Sequence, residues 1–180
     1  FKIPAPATIV TDVQPAFGFK AKPLGVQGLL WAFDSLYVMI NNRKGKSGLF
    51  LATDGNGDGK LDAMRQIISM RGGSGHGLHA IIPSPDGKTL TINAGNMGGL
   101  PKKIDDSRVP LVWGEDLLLP RLPDANGHAS TTMAPGGWIA RINPDGSNFE
   151  LIATGFRNEY DVTYDRLGEL FTFDADMEFD

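Results

Sequence analysis

Short apolar runs separated by turn sequences fill most of the chain. Three units share one form, an apolar run, a turn and a second apolar run: Leu78–Pro83 with Thr89–Ala94, Trp138–Ile142 with Phe149–Ala153, and Tyr160–Tyr164 with Glu169–Phe173. The first two turns contain Pro-Asp-Gly, in which proline presets φ, aspartate bonds its own backbone and glycine takes positive φ. Each unit is therefore predicted to be a β-hairpin.

The rest of the pattern also favours strands. Trp31–Asn41 and Ser47–Thr53 predict a further strand pair, and no segment keeps the 3.6-residue apolar period of an amphipathic helix. We expect an all-β fold with few helices. Repeated hairpins favour a β-propeller, and at about 40–50 residues per blade the 180 residues would form about three to four blades.

Residues 1–180 are accordingly predicted to be one incomplete propeller domain, a partial six-bladed ring of short antiparallel blades. A long insertion rich in Pro, Gly and Asp interrupts the hairpin rhythm at 97–135. Long loops on a rigid β scaffold often shape a binding mouth.

Composition narrows the possible partners. The chain has 17 basic and 21 acidic residues, a formal net charge of −4 and no cluster of Lys and Arg, which argues against a nucleic-acid partner. No apolar stretch approaches the ~20 residues of a membrane helix, so we expect no transmembrane segment. Cysteine is absent, which excludes disulfides, zinc–thiolate sites and a covalently attached c-type haem within this chain.

One loop has the spacing of a calcium site. Oxygen-bearing side chains stand at relative positions 1, 3, 5 and 9, with glycine at 6: Asp54, Asn56, Asp58 and Asp62, with Gly59. Position 12 is Arg65 instead of the bidentate Glu of an EF-hand, and the flanks favour strands over helices. The alternative is a metal-free, Gly- and Asp-rich hairpin tip, and the sequence leaves both open.

Two sets of polar residues lie directly before or at the start of predicted strands, a pair of histidines and an Arg-Asn pair. His76 and His79 would point to opposite faces of a strand, and the ordinary role of an isolated His is an exposed or hydrogen-bonded side chain. His76 could instead present its imidazole as a general base. Arg157 and Asn158 either satisfy loop carbonyls or form a charged fork and an amide suited to a planar, anionic ligand.

These pieces, in this order, resemble the soluble glucose/sorbosone dehydrogenase family. The resemblance rests on Val26–Leu30, on His76 ten residues ahead of Asp86, and on Gly155–Asn158 before a hairpin. Longer motifs are similar to the large dehydrogenase-like propellers of planctomycete-type bacteria, which commonly carry a c-type haem domain: Ser107–Pro110, Trp113–Asp116, Leu119–Arg121, Ala134–Trp138 and Gly168–Met177.

The resemblance implies a six-bladed propeller that uses pyrroloquinoline quinone (PQQ) with calcium. It implies that His76 is the catalytic base, that Arg157 stabilises the quinone oxygens, and that Asn158 and Gln27 contact the cofactor. It further implies a sugar or other alcohol as substrate and a c-type cytochrome domain or protein as electron acceptor. The implied location is bacterial and periplasmic, secreted or at the cell surface.

Departures from the family keep other functions open. Gly75 stands where the family often has an acidic residue, and the stretch after the third hairpin is acidic at Asp174 and Asp176. The first alternative is therefore a non-catalytic propeller, a scaffold or interaction module of a larger redox protein. A calcium-dependent lactonase-type propeller ranks last, because such enzymes take metal ligands from several blades, whereas here the aspartates cluster in one loop.

Overall fold

The chain forms an all-β structure, as the apolar pattern predicts. The computed structural model describes residues 25–42, 46–73, 75–112 and 131–175, and no helix occurs in these ranges. The strands are β1 Val26–Ala32, β2 Ser35–Ile40, β3 Gly48–Thr53, β4 Ala63–Ser69, β5 Leu78–Pro83, β6 Leu90–Ala94, β7 Asp106–Ser107, β8 Gly137–Ile142, β9 Glu150–Phe156, β10 Val162–Tyr164 and β11 Leu170–Thr172.

The strands form three sheets that follow one another along the chain. The first is an antiparallel meander in the order β1-β2-β3-β4. The second runs β5-β6-β8-β9, also antiparallel, and the short β7 pairs in parallel with the outer edge of β9. The third is the β10-β11 hairpin. No sheet in the described ranges closes on itself, so the six-bladed ring stays a prediction.

Most of the predicted hairpins are confirmed, and one strand prediction is wrong. The three repeated units become β5-β6, β8-β9 and β10-β11, and the candidate calcium loop joins β3 to β4. The predicted pair of Trp31–Asn41 with Ser47–Thr53 is found as β2 with β3, but Trp31–Asn41 is not one strand. It contains the end of β1, a two-residue turn at Phe33 and Asp34, and the whole of β2.

The insertion predicted at 97–135 is described only in part, because 113–130 lies outside the described ranges. Its described portion adds β7 to the second sheet: Arg108 donates to Glu150, which also pairs with Arg141. No helix of the described residues is long and apolar enough to cross a membrane.

The main core lies between the first and second sheets. Tyr37, Met39 and Leu49 from one sheet pack with Leu78 and Ile92 from the other. Trp138 is fully buried in this core, where its ring meets Phe149 edge-on at 5.5 Å and its Nε1–H donates to the carbonyl of Gly98. The indole thus adds both apolar burial and a satisfied polar group.

Because the sheets are antiparallel meanders, the connections between strands lie alternately at two opposite ends of the strands. The linker end comprises 41–42, 71–73, 75–77, 95–99 and 157–161, and the hairpin end comprises 33–34, 54–62, 84–89, 143–148 and 165–168. Close approaches agree with this division. An added Cβ at Gly95 would touch His76 and Asn158 at the linker end, whereas one at Gly168 would touch Pro85 at the hairpin end.

The missed turn gives the first testable prediction. Phe33 and Asp34 both have left-handed backbones, with φ of 50° and 52°, a conformation that favours glycine. We expect Asp34→Gly to raise the free energy of unfolding by about 0.5–1 kcal/mol. Denaturant titration with a fitted midpoint and slope measures the change.

The same substitution at Asp86 is the matched control, with the opposite sign. The Asp86 carboxylate accepts the N–H groups of Lys88 and Thr89 and the hydroxyl of Thr89. Losing these bonds should lower the free energy of unfolding by about 1–2 kcal/mol. Equal destabilisation by the two variants would contradict the backbone argument.

Candidate functional site

Four of the residues predicted from sequence lie at the linker end. Gln27 is near the start of β1, His76 directly precedes β5, and Arg157 and Asn158 follow β9. Each stands where the chain enters the first strand of a sheet, which explains why residues far apart in sequence share one end. The candidate calcium residues of 54–62 lie at the hairpin end and do not join this group.

Asn96 connects His76 to Arg157. His76 is buried at 6% exposure, and its Nδ1 lies 3.1 Å from the side-chain oxygen of Asn96. The backbone N–H of Asn96 donates to the carbonyl of Arg157 at 2.9 Å, and Met97 donates to the carbonyl of His76. Because the amide oxygen is an acceptor, Nδ1 carries the proton and Nε2 holds the lone pair that a base requires.

His79 and Asn158 form a second link across the same end. Nε2 of His79 lies 2.8 Å from Oδ1 of Asn158, and His79 is almost fully buried. Burial lowers the pKa of His79, the bond to Asn158 opposes this, and the charge that His76 carries when it is protonated acts in the same direction as burial. The imidazole of His79 is therefore neutral at pH 7.

The carboxylate of Asp174 fixes the backbone at Arg157 and Asn158. One oxygen accepts the N–H of Arg157 at 2.8 Å, and the other accepts the N–H of Asn158 at 2.6 Å. Two neighbouring backbone donors thus share one carboxylate, an arrangement that suits an anion. The chain itself supplies that anion here.

Tyr160 extends the group to the first sheet. Its ring centroid lies 4.6 Å from that of His79, and its hydroxyl donates to Oε1 of Gln27 at 3.3 Å. The ring is half-exposed. Gln27, which the resemblance alone singled out, is therefore joined by contact to the segment that carries Arg157 and Asn158.

Glu159 is the least expected member of the site. It is fully buried, and neither carboxyl oxygen makes a hydrogen bond of ordinary geometry within the described ranges. Burial raises the pKa of Glu159 to about 9 and the charge of Asp174 adds to this, while backbone N–H groups of Glu159 and Trp138 oppose it. The carboxyl is therefore protonated at pH 7 in the metal-free protein.

A cavity of about 660 Å³ opens at the linker end. Its described lining includes Arg71, Asn96 and Trp138 together with the glycines Gly72, Gly73, Gly98 and Gly99. Arg71 is the charged residue of this described lining, and no carboxylate is among those residues. Of the groups above, Asn96 lines the cavity, whereas His76, Arg157, Asn158 and Gln27 are not among its described lining residues.

The loop at 54–62 is organised by hydrogen bonds. Oδ1 of Asp54 accepts the N–H groups of Asn56, Gly57 and Asp58, and Oδ2 accepts that of Gly59. These bonds lower the pKa of Asp54, with Gly59 contributing most. Asp62 accepts the N–H of Gly55 in the same way. In the described part of the chain, no three His, Asp or Glu side chains group closely enough to hold a metal. Calcium at this loop stays a prediction.

Asn96 and Glu159 were not predicted as site members, and His79 was expected only as an exposed or hydrogen-bonded side chain, of which the hydrogen bond to Asn158 is found. His79 carried a weak signal, since a histidine inside an apolar strand needs a polar partner when buried. Asn96 and Glu159 carried none, because their roles depend on contacts between sheets. His128 lies outside the described ranges.

The burial of Glu159 predicts a pH dependence of stability. A carboxyl whose pKa rises from 4.5 to about 9 on folding destabilises the native state increasingly as pH rises between those values. In metal-free buffer, Glu159→Gln should therefore gain about 4 kcal/mol of stability relative to wild type between pH 5 and pH 8. Unfolding titrations at the two pH values test this, and parallel profiles for both proteins would contradict it.

No protein-family model matches the chain, and no curated protein or solved structure matches it, so the functional argument rests on residues and geometry.

Proposed function

We propose that the chain is a quinoprotein-like dehydrogenase propeller whose linker end binds PQQ and oxidises a sugar or other alcohol. The observation that carries the proposal is the link through Asn96, which joins the imidazole of the candidate base, His76, to the backbone carbonyl of Arg157, the residue that carries the candidate cation. The base and the cation were each predicted from sequence, and they lie in two different segments, one before β5 and one before β10. General-base oxidation of an alcohol by a quinone requires this combination.

The sheet arrangement supports a propeller. Two four-stranded antiparallel meanders follow each other, and a third sheet begins with a hairpin of the same kind. The first strands, β1 and β5, pack against each other with Gly28 close to the carbonyl of His79. In a propeller, the first strands of neighbouring blades pack side by side around a common axis, with their linker ends on the same side. The packing of β1 against β5 meets this requirement.

The residues at the linker end fit a planar, anionic cofactor. The cavity at this end lies within the 300–1,000 Å³ range typical of ligand sites, and Arg71 in its lining supplies positive charge. Arg157 lies at the same end of the molecule but is not among the described lining residues. Glu159 is protonated and does not repel an anion. Arg157, Asn158 and Gln27 would hold PQQ, with Arg157 facing its negative oxygens.

PQQ, when bound, supplies an ortho-quinone that accepts hydride from the carbon bearing the hydroxyl. The residues of this chain would supply the proton transfer and the orientation. Nε2 of His76 would take the proton of the substrate hydroxyl, while the Nδ1 bond to Asn96 holds the ring in the required tautomer. The electrons would pass to a c-type cytochrome domain or protein, in a bacterial protein that is periplasmic, secreted or at the cell surface.

A second candidate is a non-catalytic propeller scaffold within a larger redox protein. Two observations favour it. His76 is only 6% exposed, and Asp174 already occupies the backbone N–H groups of Arg157 and Asn158. Both would hinder a substrate or an anionic cofactor.

The base is tested by His76→Asn. With PQQ and calcium added to the intact chain, dye reduction across a panel of sugars should fall by about 10²–10⁴ in kcat. The PQQ dissociation constant should stay within about twofold, because the role is proton transfer. A variant that retains full activity would overturn the assignment of His76.

The cation is tested by Arg157→Gln, with Arg166→Gln as matched control. Both changes remove one positive charge, but Arg166 is exposed at the hairpin end. Loss of a charge-assisted contact should weaken PQQ binding by about 10- to 100-fold for Arg157→Gln and leave Arg166→Gln unchanged. If wild type binds no PQQ at all, the scaffold function is favoured.

A further inference from the structure

A separate cavity, of about 320 Å³, lies at the hairpin end, where the second and third sheets meet. Ser84 and Asp86 line it from the β5-β6 turn, and Tyr164 and Glu169 line it from the β10-β11 hairpin. Its described lining shares no residue with the group at the linker end. The volume falls at the lower end of the range typical of ligand sites, so the cavity suits a small ligand.

Two arginines, Arg108 and Arg141, belong to the lining of this cavity. Glu150 holds both of them. Nε–H of Arg108 donates to its Oε1 at 2.8 Å, and Nε and Nη2 of Arg141 donate to its Oε2 at 2.8 and 2.5 Å. A guanidinium has five N–H donors, and these bonds use one of Arg108 and two of Arg141. Both side chains are therefore fixed in place and keep N–H capacity for an acceptor.

A chain of three hydroxyls ends at the same cavity. Oγ of Ser84 lies 2.8 Å from Oγ1 of Thr91, which lies 2.7 Å from the hydroxyl of Tyr164. Three hydroxyls carry three hydrogens, and the two bonds use two of them. Thr91 is fully buried, so its own hydrogen belongs within the chain. The remaining hydrogen is therefore on Ser84 or Tyr164, both of which line the cavity.

The charges of the cavity favour a neutral ligand. Glu169 is exposed, and Asp86 accepts three hydrogen bonds from Lys88 and Thr89 in its own turn. Together with Glu150, three carboxylates stand against the two guanidinium groups. An anion would meet this excess of carboxylates, and a cation would meet the guanidinium groups. A neutral ligand whose groups both donate and accept hydrogen bonds suits the whole set, and hydroxyl groups do both.

We propose that this cavity is a carbohydrate-binding site at the hairpin end, separate from the proposed dehydrogenase site. A sugar ring carries several hydroxyls, each of which can accept from an arginine N–H and donate to a carboxylate. The C–H groups of the ring would contact Pro85, Ile152 and Leu170, the apolar side chains of the lining. A mainly apolar wall with a few placed polar groups is the usual composition of a small-molecule site.

The test needs neither PQQ nor calcium. The intact chain is titrated with glucose, with maltose and, for comparison, with inorganic phosphate, and binding is measured by calorimetry. We expect a sugar to bind and phosphate not to bind. Tyr164→Phe removes the hydroxyl at the end of the chain, and Glu169→Gln removes the charge of an exposed acceptor. Each should weaken sugar binding by about fivefold through the loss or weakening of one hydrogen bond.

Matched changes outside the cavity separate this site from the linker end. Tyr160→Phe, the same change at the linker end, and Arg166→Gln, in the β10-β11 turn, should alter the sugar affinity by less than about twofold. If Tyr164→Phe does not fold, Glu169→Gln still tests the proposal, since Glu169 is exposed. The proposal is overturned if neither sugar binds at millimolar concentrations or if phosphate binds in their place. It is also overturned if Glu169→Gln has the affinity of wild type, or if Tyr160→Phe weakens binding and Tyr164→Phe does not. Since no cofactor or activity enters the measurement, failure here would leave the dehydrogenase proposal standing.

Discussion

The linker end depends on one hydrogen bond, between Nε2 of His79 and Oδ1 of Asn158. It ties the first strand of the second sheet to the segment that leaves β9. That segment carries Arg157, Glu159 and Tyr160, so its position decides where the cation, the buried acid and the half-exposed ring lie. The bond is possible because Gly95 has no side chain: a Cβ there would lie 2.6 Å from Oδ1 of Asn158.

The buried polar side chains at the linker end lower the free energy of unfolding. His79 is buried with a lowered pKa, so the free energy of unfolding has its full value, as far as His79 is concerned, above about pH 6.5. Below that pH the unfolded state binds a proton at His79 more readily than the folded state, and the free energy of unfolding falls. Glu159 acts in the opposite sense, because its neutral form is the one the fold accommodates. Buried polar groups that reduce stability in this way are commonly found at functional sites. A core built for stability alone would place apolar residues at both positions.

Local chemistry made much of the fold predictable. Two Pro-Asp-Gly turns, a third turn ending in glycine and their apolar flanks predicted three hairpins to within three residues, and the flanks of 54–62 were strands as expected. The turn at Phe33 and Asp34 was not predicted because it contains no glycine and Phe33 has no preference for positive φ, so that pairing between β1 and β2 imposes the conformation. Propensity yields to tertiary context at such positions.

The sequence predicted several residues of the site but not the hydrogen bonds and contacts that join them. His76, Arg157, Asn158 and Gln27 were named from their order and resemblance. The side chains that join them depend on how separate sheets meet, and no local pattern encodes that. Glu159 shows this most clearly: in sequence it is one more acidic residue near others, whereas the packing of β8 against the end of β9 buries it completely.

The account is tested most directly by the protonation states of the two buried histidines. Nitrogen-15 NMR of the imidazoles distinguishes the tautomers and follows each ring through a pH titration. The account predicts that His76 is protonated at Nδ1 and His79 at Nε2 near pH 7, and that the pKa of His79 is lowered below its ordinary value of 6.5. Rapidly exchanging tautomers with an ordinary pKa at His79 would contradict it, because neither ring would then be held by its asparagine.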